Sequence, residues 1–250
     1  MNRYLAAPLL LLSLGGCVKT EIGGVQAAPP AQRVQAQLDL ARGYLEMGDA
    51  QSARRPLERA LKIDPHSSEA HVLLATAYLA DGDKQLAEHE YRTALRDDPH
   101  NSMARNNYGT FLFAEGRYKD AKKELQRAAD DPDYARRAQA FENLGLTELK
   151  LDETDAAKAS FQRALLLNAS MPRSHLELAQ IEFSTGNFAA AKENFDRYNA
   201  MAKPTARSLW LGIRLSRVLH DQDQLASYAL ALRNLFPDSE EYRLYQDRQW

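Results

Sequence analysis

Between residues 34 and 204 the small and large apolar positions recur on a 34-residue period. The stretch "RPLERALKIDPHSSEAHVLLATAYL" aligns with "HEYRTALRDDPHNSMARNNYGTFLF" at that shift. Gly48, Ala53, Leu57, Ala60 and Pro65 thereby return as Gly82, Ala87, Tyr91, Ala94 and Pro99. Gly116, Ala121, Leu125 and Ala128 follow, with Pro132 one residue early. After a slip of two residues come Ala157, Phe161 and Ala164, then Gly186, Ala191, Phe195 and Tyr198. Such a period predicts stacked helix pairs, each too small to bury its apolar face alone. Alanines such as Ala41, Ala53 and Ala60 let helices approach, and Leu40, Tyr44 and Leu57 fill the space between them. Gly48 and Gly82 suit left-handed turns after a helix, Asp49 and Asp83 suit caps of the next, and Pro65 and Pro99 separate the pairs. Five regular pairs and a degenerate sixth are expected. In the sixth, Trp210, Ile213, Leu215 and Leu219 mark one helix, Leu225, Tyr228, Leu232 and Leu235 another, and Pro237 ends the unit. The tail "SEEYRLYQDRQW" is expected to form an amphipathic helix that closes the stack.

This code resembles the tetratricopeptide repeat. The resemblance implies an all-α fold, a right-handed superhelical solenoid of about six tetratricopeptide-like helix pairs over residues 34–250. In that family the first helix of each pair lines a concave groove. The corresponding positions are Leu38, Arg42 and Leu45 in the first pair and Val72, Thr76 and Leu79 in the second. The third pair contributes Asn106, Asn107, Thr110 and Phe113, and the fourth Glu142, Asn143, Leu146 and Leu149. Leu176, Gln180 and Phe183 complete the set in the fifth. Aliphatic and amide side chains together suit an apolar peptide or helix whose backbone also needs partners. For the aliphatic members, packing against a neighbouring repeat is an equally open reading. Asn106, Asn107 and Thr110 point more towards a ligand, because three polar side chains on one scaffold helix serve packing poorly. The chaperone-binding version of the repeat clamps a terminal carboxylate with lysine, arginine and asparagine. Here Leu38 stands at an expected lysine and Arg42 at an expected asparagine, so no such clamp is expected.

The N-terminus departs from the repeats. "MNRYLAAPLLLLSLGG" has a basic residue, Arg3, then an apolar run from Tyr4 to Leu14, too short for a membrane span of about 20 residues. Its size and the small residues after it fit a secretory signal. Leu14-Gly15-Gly16-Cys17 resembles a bacterial lipobox, and Cys17 is the single cysteine of the 250-residue chain. The resemblance implies removal of residues 1–16 and diacylglyceryl and N-acyl lipid on Cys17, chemistry that needs a thiolate nucleophile. Val18 rather than aspartate after the cysteine favours the outer membrane in that sorting pattern. Residues 17–33 then read as a lipidated flexible linker containing Gly23, Gly24, Pro29 and Pro30, with an r.m.s. reach of roughly 20 Å.

Composition removes other classes. A net charge of −2 leaves no electrostatic footprint for nucleic acid, and one cysteine excludes an internal disulfide or a cysteine-rich zinc site. None of the six histidines belongs to an H-E-x-x-H pattern, and His71 and His175 share one large-residue position of the repeat. The acidic runs 130–133 and 152–155 lack EF-hand spacing. No catalytic constellation, metal site or cofactor is expected, and the chain is taken as a monomer. A lipobox, a short linker and about six repeats, with "ARNNYGTFLFAEGRYKDA" and "RAQAFENLGL" as the more specific local matches, resemble the type IV pilus pilotins of the PilF/PilW family. What that resemblance implies is an outer-membrane lipoprotein, facing the periplasm, that binds secretin subunits and promotes their localisation and multimerisation. Its partners would be the secretin and, through the acyl anchor, outer-membrane lipid. The alternative is a repeat lipoprotein scaffold of another envelope machine, such as that for β-barrel assembly.

Overall fold

The computed structural model describes residues 28–248, and among these the chain forms thirteen helices and no strand. Cys17 and most of the linker lie outside the described residues. Six helix pairs follow in order: α1 (Pro30–Glu46) with α2 (Ala50–Ile63), α3 (Ser68–Ala80) with α4 (Lys84–Asp97), and α5 (Ser102–Ala114) with α6 (Tyr118–Asp130). Next come α7 (Arg137–Lys150) with α8 (Thr154–Leu167), α9 (Pro172–Ser184) with α10 (Phe188–Met201), and α11 (Ala206–Val218) with α12 (Gln222–Leu235). A short α13 (Glu240–Gln246) ends the series. None of these helices is long and apolar enough to cross a membrane.

Every pair closes through a three-residue turn whose middle residue is left-handed. Gly48, Gly82, Gly116 and Gly186 hold φ of 76°, 84°, 74° and 78°. Asp152 and His220 take the same place in the fourth and sixth pairs, with φ of 61° and 58°. The backbone closes alike in both cases: Asp49 N–H donates to Tyr44 O at 2.9 Å, and Asp221 N–H to Ser216 O at 2.8 Å. The missing glycines of the sequence pattern are therefore substitutions within a preserved turn. The two-residue slip has its own location. Six residues, 131–136, separate α6 from α7, where the other pairs are separated by four.

Within a pair, a small residue on the first helix receives a large one from the second. A Cβ on Gly109 would stand 2.6 Å from Leu125 Cγ, and one on Gly145 2.9 Å from the Phe161 ring. Ala41 with Leu57, Ala75 with Tyr91, and Ala179 with Phe195 occupy the matching positions, all buried in shared clusters. In the sixth pair Gly212 takes this role against the rings of Phe195 and Tyr228, one residue out of register.

Several expectations change. Pro30 opens α1 from its first position, so the helix starts four residues before residue 34 and inside the stretch read as linker. A proline is favoured there because its missing N–H would be unpaired anyway. Leu40 is 45% exposed and fills no interhelical space. Asp49 caps α2 by accepting the Ser52 amide at 3.0 Å, whereas Asp83 makes no cap bond and faces Arg54 at 3.6 Å. Ile213, Leu215 and Leu232 are buried as expected, but Leu219 and Leu235 are exposed. Tyr242 and Tyr245 of α13 pack on the cluster of Leu209, Ile213, Ala229 and Leu232, so the tail does close the stack.

A non-glycine residue in a left-handed turn costs about 1 kcal/mol. His220→Gly should therefore raise unfolding stability by about 1 kcal/mol in urea, and Gly82→Ala should lower it by a similar amount.

Candidate functional site

Each second helix packs on the first helix of the next pair, and first helices also meet directly: α1 with α3, α3 with α5, α5 with α7, α9 with α11 and α11 with α13. Glu142 of α7 bonds Ser174 of α9 and joins the two runs into one layer, on which the sequence-derived groove positions all lie. The structure divides those positions into three groups.

Leu38, Val72, Asn106 and Leu176 are buried, between 0% and 7% exposed, so they belong to the packing beneath the surface rather than to a contact face. The aliphatic ones fill the space between adjoining helices. Asn106 corrects the expectation most plainly, because its polar group is satisfied inside the fold. Its side-chain oxygen accepts Asn143 Nδ2 at 3.1 Å, and its Nδ2 donates to Asn107 Oδ1 at 3.3 Å. Asn143 also donates to Thr110 Oγ1 at 3.3 Å, and Thr110 donates to Asn106 O at 2.9 Å. This amide ladder ties α5 to α7.

A second group is half-buried and engaged. Arg42 is held by Glu69 and Asp39, which raise its already high pKa. Glu142 accepts the Ser174 amide at 3.1 Å and its hydroxyl at 2.6 Å, and so caps the neighbouring α9. Thr76 donates to Val72 O at 3.0 Å. Leu45 packs against the core shared by the first two pairs, Leu79 against that of the second to fourth, and Leu146 against that of the fourth and fifth. Phe113 stands edge-on to Tyr118 with ring centroids 5.4 Å apart.

The third group opens onto space. Leu149, Gln180 and Phe183 line a cleft of about 570 Å³ that continues over α11 to α13. Its far side is formed by Arg207, Trp210, Arg214 and Leu244, none of which was among the groove positions read from the sequence. The signal was present. Adding the period of 34 to Leu176 and Gln180 gives Trp210 and Arg214. The altered small-residue code of the sixth pair concealed that its first helix extends the same face.

Two arginines one heptad apart on α11 are treated differently. Arg207 donates to both oxygens of Glu177, at 2.7 and 2.6 Å, and also to Gln180. Glu177 is buried, so this bidentate pair neutralises a carboxylate that would otherwise be costly. Arg214 instead lies over the Phe183 ring at 4.2 Å, and burial pushes its pKa below the ordinary value. Among the described residues no carboxylate is bonded to it.

His71 and His175 serve the scaffold. His71 Nδ1 lies 2.6 Å from Glu90 and its Nε2 3.3 Å from Pro65 O. His175 bridges Asn194 and Ala169 O in the same way. Arg105 takes this position in the third pair, bonding Glu124 and Pro99 O. Among the described residues no three His, Cys, Asp or Glu side chains converge to hold a metal ion.

Three-residue turns with a left-handed centre, small-to-large pairing and a continuous first-helix layer define a solenoid of helical repeats. Tetratricopeptide-repeat profiles match residues 73–136 and 142–203, and another matches 44–91, so the chain is a tetratricopeptide-repeat protein. It belongs, more narrowly, to the PilF family of type IV pilus assembly proteins. The type IV pilus assembly protein PilF of Pseudomonas aeruginosa is 38% identical to it over 246 residues, 95% of each chain. A solved structure of Pseudomonas aeruginosa PilF superposes with a TM-score of 0.85 over 88% of this chain and 99% of that one. PilW, described as a widely conserved type IV pilus biogenesis factor, superposes at 0.73 and 27% identity, over 86% of this chain and 99% of its own. YrrB, a tetratricopeptide-repeat protein with an unusual peptide-binding site, shares the fold at 16% identity and a TM-score of 0.61, over 76% of this chain and 97% of its own.

The Arg207–Glu177 pair yields a stability test. Arg207→Ala should cost about 1–3 kcal/mol in urea unfolding, since it leaves a buried carboxylate alone while the arginine itself is half exposed. Adding Glu177→Gln should recover most of that loss.

Proposed function

We propose that this chain is a pilotin: an outer-membrane lipoprotein, anchored through Cys17 on the periplasmic face, that holds secretin subunits of the type IV pilus and promotes their multimerisation. The observation that carries this reading is its end-to-end similarity to a type IV pilus assembly protein, over 95% of both chains. Two activities must reside on one molecule. The layer of first helices offers a rigid face for a client segment, and the lipid supplies the address. At ~0.8 kcal/mol per buried CH₂, several acyl chains give durable anchoring where a single chain is marginal. Between them lie the residues following Cys17, up to the start of α1 at Pro30. Extended at ~3.3 Å per residue, those residues bridge roughly 40 Å, enough to lift the repeats clear of the headgroups.

Cys17→Ser tests the coupling. The variant should keep the helical signal of the parent by circular dichroism while secretin multimers disappear from the outer-membrane fraction. Normal multimers in that fraction, formed with a non-lipidated variant, would contradict the reading. Defects in β-barrel assembly with intact secretin multimers would assign the protein to a different envelope machine.

A further inference from the structure

The cleft between α7 and α13 contains an arrangement that the scaffold does not use. Arg214 lines it, its guanidinium carbon 4.2 Å from the centre of the Phe183 ring, with Trp210 and Leu149 also in the lining. One heptad earlier, Arg207 shows what such a guanidinium takes when a carboxylate is within reach, a two-pronged bond to Glu177. Arg214 has no such partner among the described residues. Glu240 and Glu241 of α13 also line the cleft, but neither bonds to it. A half-buried, unpaired arginine stacked on an aromatic ring is poorly solvated and gains strongly from an incoming carboxylate.

We infer that this cleft is a docking pocket for an extended peptide segment that places an aspartate or glutamate side chain on Arg214 and a bulky apolar side chain beside Phe183 and Trp210. The inference deepens the client-holding role proposed above and rests on it for the biological identity of the peptide, though not for the chemistry of the pocket. The length of the segment follows from the geometry. From α7 to α13 there are three interhelical steps of ~8–10 Å, so a chain crossing them at ~3.3 Å per residue needs roughly eight or nine residues. The lining comes from α7, α9, α11 and α13 in turn, and a segment that crosses all four presents an internal acidic side chain rather than a chain terminus to Arg214.

Random decapeptides displayed on phage, selected against the detergent-solubilised full-length protein, test this directly. The expected result is enrichment of sequences with Asp or Glu next to Leu, Phe or Trp. A fluorescein-labelled peptide made from the consensus should bind Arg214→Gln at least about tenfold more weakly, the scale of one charge-assisted bidentate bond. Replacing its acidic residue by the corresponding amide should cause the same loss, and the two changes together should cost no more than either alone. An unchanged thermal midpoint for Arg214→Gln separates lost contact from lost fold. Selection of peptides without an acid, no enrichment at all, dependence on a free terminal carboxylate, or affinity within twofold on Arg214→Gln would each overturn the inference. Secretin multimers that form normally without the protein would sink the pilotin reading and leave the pocket's chemistry standing.

Discussion

The contact on which this structure depends is that of a small residue on a first helix against a large one on the second. Gly109 against Leu125 and Gly145 against Phe161 leave no room for even a Cβ. The alanines at the matching positions of the other pairs are fully buried. Close approach of two helices is what lets each short pair expose a broad apolar face to its neighbour. The stack then grows by repetition. The sixth pair preserves the same contact with Gly212 and Tyr228 one residue out of register, and it remains part of the array for that reason.

Once the pairs are stacked, polar bonds between first helices fix one pair against the next. Arg42 reaches Glu69 from α1 to α3, Asn143 reaches Asn106 from α7 to α5, and Glu142 caps α9 through Ser174. Arg207 grips Glu177 across α11 and α9. These contacts consume much of the polar chemistry on the inner layer of the scaffold. Towards the C-terminal end Gln180, Phe183 and Arg214 line an open cleft. A rigid layer with a localised unpaired group is a suitable platform for a protein client, because the groups need little ordering when it arrives.

The helix pairs were legible because turn glycines, alanines and large residues repeat at one spacing, broken by the two extra residues before α7 and by the one-residue shift in the sixth pair. Where legibility failed, the causes are physical. Asp152 and His220 were invisible as turn residues because left-handed backbone is usually bought with glycine, yet aspartate and histidine tolerate it. Asn106 read as a ligand-facing amide because its partner, Asn143, lies 37 positions away in the next pair. Val72 and Leu38 share a helix face with surface positions, and only the neighbouring helix decides which of them it covers. Arg214 was missed because the sixth pair shifts its small-residue contact by one position, which hid the continuation of the groove.

The central claim is that the layer of first helices, at its C-terminal end, holds the client. A photo-crosslinking residue placed at Gln180 in cells, with a second protein carrying it at the 78%-exposed Leu166 of α8, puts that claim to its most direct test. A covalent adduct with secretin is expected from position 180 and none from position 166. Adducts from 166 alone, or from neither position while secretin multimers assemble normally, would contradict it.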